Sequence, residues 1–178
     1  ITDSLGGKAS VYLDGISSNQ ETFYNISFSN LVGSIDKTKV VAIYVIVEGN
    51  NQTGTLELNR LTNSLYLLPD ATKTAADINI PYTGLDTPGV ATVAPQGATA
   101  NVVKTGRGLN LTYNTSTAGW AGAGFSYDNG STVPIEVRDF SSLSSIIIGI
   151  KGSSPQARFE ITDSLGGKAS VYLDGISS

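Results

Sequence analysis

Hydrophobic and polar residues alternate along short stretches of this chain, with the period of two that a half-buried β-strand requires. Residues 22–28 (TFYNISF) place Tyr24, Ile26 and Phe28 on one face and Phe23, Asn25 and Ser27 on the other. Residues 108–113 (GLNLTY) send Leu109, Leu111 and Tyr113 inward and Asn110 and Thr112 outward. Residues 39–48 (KVVAIYVIVE) are instead continuously apolar and β-branched, the pattern of a central strand covered on both faces, and 144–151 (SSIIIGIK) read the same way. Further short strands are predicted at 8–13, 55–58, 65–68, 120–127, 157–162 and 168–173, separated by Gly, Asn, Ser and Pro turns. No comparable stretch shows helical periodicity. About ten short strands without helices predict an all-β fold, an antiparallel β-sandwich.

One of these patterns occurs twice. Residues 1–18 read ITDSLGGKASVYLDGISS, and residues 161–178 repeat all eighteen letters at an offset of 160. Fixed-period identity is the signature of a tandem array. The second copy is preceded by Gln156-Ala157-Arg158-Phe159-Glu160, which runs into Ile161 as one alternating strand, Phe159 and Ile161 on one face, Arg158 and Glu160 on the other. The first copy lacks this run-in. The expectation is therefore a window of a longer repeating polymer, or a product cleaved inside each repeat. A closed domain has one seat for such a hairpin, so the extra copy is expected to pair with an adjacent unit. The residues of that inter-unit strand are Ile161, Lys168, Ala169, Val171 and Leu173, with Ile1, Val11 and Leu13 in the first copy.

Between the flanking strands, residues 70–97 carry Pro81, Pro88 and Pro95 together with Gly84, Gly89 and Gly97. Proline cannot donate to a β-ladder, so this stretch reads as linker or sheet edge. It divides the chain into residues 1–69, the C-terminal part of one module, and residues 98–178, the N-terminal part of the next. Two arrangements follow: the parts close on each other as a circular permutant, or the front of one chain completes the back of the next. The second is head-to-tail and propagates into a filament when its rotation does not close.

Composition narrows the chemistry. The chain of 178 residues has no Cys, His or Met and a net charge of -4. Zinc sites of the usual kind and Ser-His-Asp or Cys-His catalysis are thereby excluded. No Lys/Arg cluster invites nucleic acid, and no apolar run is long enough to span a bilayer. The carboxylates Asp3, Asp14, Asp36, Glu48, Asp128, Glu136 and Asp139 are scattered, with no pair placed as glycoside hydrolysis requires. No enzyme, catalytic residue or cofactor is expected. The Ser, Thr, Asn and Gly content fits an extracellular or cell-surface protein.

Read from about Thr87 through the repeat boundary, the segments GRGLNLTYNTSTAGWAGAGFSYD, VRDFSSLSSIIIGIKG, ARFEITDSLGGKASVYL, ETFYNISFSNLVGSIDKTKVVAIYVIVEG and TGTLELNRLTNSLYL resemble the galactose-binding-like β-jelly-roll modules. This is the fold of many carbohydrate-binding modules of secreted glycosidases. The resemblance covers most of one repeat and rests on spaced aromatic, glycine and Asp-Ser positions. It implies a jelly roll, with glycan binding as the family's usual work and with Trp120 at the position of a structural Trp-x-Gly. Candidate platform aromatics are then Trp120, Tyr127 and Tyr66. The resemblance also admits a structural calcium ion held by carboxylates and carbonyls, for which no ligand set can be named.

Five Asn-x-Ser/Thr sequons, at Asn25, Asn51, Asn110, Asn114 and Asn129, are candidates for N-glycosylation. The expected function is a non-enzymatic structural repeat of an extracellular fibre or surface protein. Its partners would be identical neighbouring units, joined by β-strand complementation. The alternative is a carbohydrate-binding module of a secreted glycosidase or adhesin, with a polysaccharide as partner.

Overall fold

A computed structural model describes residues 11–12, 21–63, 89–105, 108–128, 137–154 and 156–174. They form twelve strands: β1 (Val11–Tyr12), β2 (Thr22–Ser27), β3 (Val32–Ser34), β4 (Val40–Glu48), β5 (Thr53–Asn63), β6 (Gly89–Val93), β7 (Thr99–Lys104), β8 (Gly108–Asn114), β9 (Trp120–Ser126), β10 (Ser145–Gly152), β11 (Gln156–Asp163) and β12 (Lys168–Asp174). One sheet runs β1-β12-β11-β4-β9-β6, with β3 also alongside β12; the other runs β2-β10-β5-β8-β7. Every pairing is antiparallel except that of β1 with β12. The two sheets pack as a β-sandwich, as the alternation and the absence of helical periodicity require. The described residues contain no helix long and apolar enough to cross a membrane.

Alternation decides what each strand buries. Tyr24 and Ile26 of β2, Leu56 and Leu58 of β5, Leu109, Leu111 and Tyr113 of β8, and Ile146, Ile148 and Ile150 of β10 face the other sheet. They meet Ile43, Val45 and Val47 of β4, Ala121, Ala123 and Phe125 of β9, and Phe159 and Ile161 of β11. Strand β4, flanked by β11 and β9, also buries Ala42 and Ile46 on its other face, so the continuous apolar run has the central place its composition predicts.

The chain order of the strands differs from their order in space. Strand β4 inserts between β11 and β9, and β5 between β10 and β8. The part before the Pro/Gly stretch and the part after it therefore close on each other within one chain. Three elements depart from the sequence pattern. Strand β3, three residues long, pairs with β12. Strand β6 lies inside the stretch read as linker or edge, as an edge strand on β9. Strand β7 pairs with β8 although its pattern announces little, because most of its side chains are exposed and few apolar contacts mark it. The predicted strand at 65–68 and most of the linker lie outside the described residues.

Candidate functional site

The duplicated hairpin and the seat that receives it form the candidate site. Residues 156–160 lead into the second copy as β11, which pairs along its length with β4 on one side and β12 on the other. The partners across the hairpin are Phe159 and Val171, and Ile161 and Ala169, all buried. Burying Val171 and Leu173 stabilises the seat by roughly 1.5–3 kcal/mol each. The turn between the strands is held by Asp163. Its Oδ1 accepts hydrogen bonds from the backbone N–H of Leu165 (2.8 Å) and Gly167 (2.8 Å), and its Oδ2 accepts one from the N–H of Asp36 at 2.6 Å. The Asp36 contact ties the hairpin to the loop before β4, across 127 residues of sequence. These bonds, that from Asp36 foremost, hold the Asp163 carboxyl below its ordinary range against the opposing effect of burial.

The other edge of β12 is shared. Its first half, Lys168–Ser170, pairs with β3, where Gly33 adopts φ +124 and a Cβ would collide with the Lys168 carbonyl oxygen. Only glycine fits there. At its far end Leu173 and Asp174 pair with Val11 and Tyr12, in parallel. Val11 and Tyr12 of the first copy thus lie against the second, one strand further out. Beside this edge, Tyr24, Ile26, Val171 and Leu173 line a cleft of about 50 Å³ between β2 and β12. The Tyr24 hydroxyl is buried without a hydrogen-bond partner, and burial pushes its pKa up to about 12.

On the outward face the run-in residues add charge. Arg158 pairs with Glu48 of β4 and with Glu160, 3.3 Å away; Lys168 lies 3.6 Å from Glu160.

Of the residues expected to form the inter-unit strand, the structure brings Ile161, Ala169, Val171 and Leu173 into the core and leaves Lys168 exposed. Val11 joins them through its backbone; Ile1 and Leu13 lie outside the described residues. Trp120 opens β9 opposite Glu48, half-buried on the outward face. Tyr127 is in the core, its ring edge-on to Phe140 at 5.8 Å, and burial pushes its pKa up. Tyr66 lies outside the described residues, so no aromatic row is assembled from these three. Asn25, Asn51, Asn110 and Asn114 are all exposed. Asn25 and Asn110 point outward from β2 and β8, while Asn114 accepts a hydrogen bond from the Ser116 N–H at 2.9 Å. Asn129 is outside the described residues. No group of three or more acidic side chains able to hold a metal occurs among the described residues.

Pattern reading missed the Asp163–Asp36 tie, Gly33 and the Arg158 pairs. The Asp-Ser-Leu-Gly-Gly spacing signals the turn around Asp163, because an Asp side chain readily takes N–H groups two and four residues on. Nothing local signals Asp36 as a partner. Comparison with protein-family models, with curated proteins and with solved structures finds no match.

Proposed function

We propose that this chain is a non-enzymatic structural repeat of an extracellular fibre or surface protein, in which sandwich modules join head-to-tail by β-strand complementation. The observation that carries the reading is the occupancy of one seat: the second copy fills it, and Val11 and Tyr12 of the identical first copy pair with the far end of its outer edge. Strand addition of this kind supplies main-chain hydrogen bonds along an edge and pockets for alternate side chains. The likeness to galactose-binding-like modules accords with the sandwich and stays an analogy of fold. Glycan binding has weaker support, since of its candidate aromatics among the described residues Trp120 alone stands half-exposed on an outward face.

Light scattering across a concentration series tests the joined-module reading. A mass that rises above the 18.5 kDa of one chain supports it. A mass fixed at one chain at every concentration sinks it.

A further inference from the structure

Strand β1 runs parallel to β12, in the same direction as the strand that fills the seat. Val11 lies beside Leu173, whereas its counterpart in the second copy is Val171. The displacement is two residues, the even shift that leaves every side chain on its original face. One strand spacing of roughly 4.8 Å and a slide of roughly 6.6 Å separate the first copy from the position of β12. The interactions made by β12 in the seat use Ala169, Val171, Leu173 and the carbonyl of Lys168, and the first copy carries the same residues as Ala9, Val11, Leu13 and Lys8. Val11 and Tyr12 of the first copy both pair with β12.

We propose that the seat beside β11 is a strand-exchange site, and that its ligand is residues 8–14 of a second copy of this chain. The proposal rests on the joined-module reading and names its joint. Because the two strands are identical, the incoming strand restores the same backbone hydrogen bonds and apolar burial that the displaced strand gives up. The tethered strand keeps the advantage of a high effective concentration, so exchange between chains grows with protein concentration.

The absence of cysteine gives a clean background for testing this. Thr162 of β11 faces Lys168 across the hairpin, and the Lys168 side chain is 67% exposed. Thr162→Cys with Lys168→Cys is the control that reports β12 in its own seat, as a disulfide within one chain. Thr162→Cys with Lys8→Cys reports the first copy there. Disulfide partners need Cα atoms roughly 4.4–6.8 Å apart, and Val11 and Tyr12 of the first copy lie two strands from β11. The expected result is a non-reducing ladder of covalent dimers and larger species that strengthens with concentration. Thr162→Cys with Ala9→Cys, one residue out of register, should give about tenfold less. A cross-linked product of single-chain mass puts the chain's own first copy in the seat and overturns the proposal, as does no product at all. Should light scattering show polymer while no ladder forms, the modules are joined elsewhere: the broader reading stands and this joint falls.

Discussion

The two copies of the eighteen-residue sequence have the same letters and different places. The second holds a full seat, with β11 on one side and β3 and β1 on the other. The first is paired, among the described residues, through Val11 and Tyr12. The difference cannot come from the copies. Before the second copy, Gln156 to Glu160 form the greater part of β11, bury Ala157 and Phe159, and deliver the hairpin to its seat by a tight turn. Closing a short hairpin costs little chain entropy compared with recruiting a distant strand. The second copy is thus held in its seat by the strand that leads into it.

The largest effect should come from disabling both claimants. Val171→Asp puts a charge at a buried position of β12, and a loss of about 2–4 kcal/mol is the usual consequence of an unpaired buried charge. Val11→Asp alone should cost less than Val171→Asp, since Val11 is joined to the sheet by the two-residue pairing of β1. If the first copy can replace the second, the single Val171→Asp protein is partly rescued and the double variant loses more than the two singles together. Urea midpoints for the three proteins measure that coupling. Strict additivity would mean that the first copy has no access to the seat.

Next in size is Gly33→Val, which strikes the seat whichever copy fills it. Its φ of +124 suits glycine, and the added side chain meets the backbone of β12. A loss of about 2 kcal/mol or more is expected, read as a fall in Tm of roughly 4–8 °C for a chain of this size. An unchanged Tm would show that β3 does not close the edge of β12.

Arg158→Ala attacks the strand that leads into the second copy. It takes the shared cation from Glu48 and Glu160, both side chains less than a fifth exposed, and leaves Glu160 with Lys168 at 3.6 Å. A loss of about 1–3 kcal/mol is expected, together with a larger cross-linked fraction in the Thr162→Cys, Lys8→Cys protein, because the run-in no longer favours its own hairpin. A drop in stability with no gain in exchange would detach the two effects.

Much of this architecture is legible from pattern alone. The alternation in β2, β8 and β11 and the unbroken apolar run of β4 follow from side-chain periodicity, which is a local property. Pattern leaves the interleaving open, because whether β4 inserts beside β11 of its own chain or of another depends on residues more than 100 positions apart. Tyr127 illustrates a similar limit: an aromatic in a polar loop sequence, Tyr-Asp-Asn-Gly, serves equally as a platform or as core packing. Here Phe140, thirteen positions on, supplies the partner that buries it. Asp163 is the same case for a polar side chain. Its turn is local and readable, while its bond to Asp36 is made by tertiary structure.

That bond supports the finest discrimination between the copies, because each carries the aspartate, as Asp3 and Asp163. In the folded chain the Asp163 carboxyl titrates below its ordinary value, chiefly through the Asp36 N–H and further through those of Gly167 and Leu165. The charge of Asp36 opposes this, and Lys39, 3.6 Å from Asp36, offsets that charge in turn. A depressed folded pKa stabilises fully above the unfolded value, about 3.9, and the contribution is lost as pH falls through the lower folded value. Asp163→Asn should therefore be less stable than the parent at pH 7 by a margin that holds down to about pH 5 and closes below about pH 4. Asp3→Asn should show no margin at any pH while β12 keeps the seat. Equal margins for the two variants would mean that the copies share the seat equally, and that the run-in residues, despite their buried contacts, exert no preference.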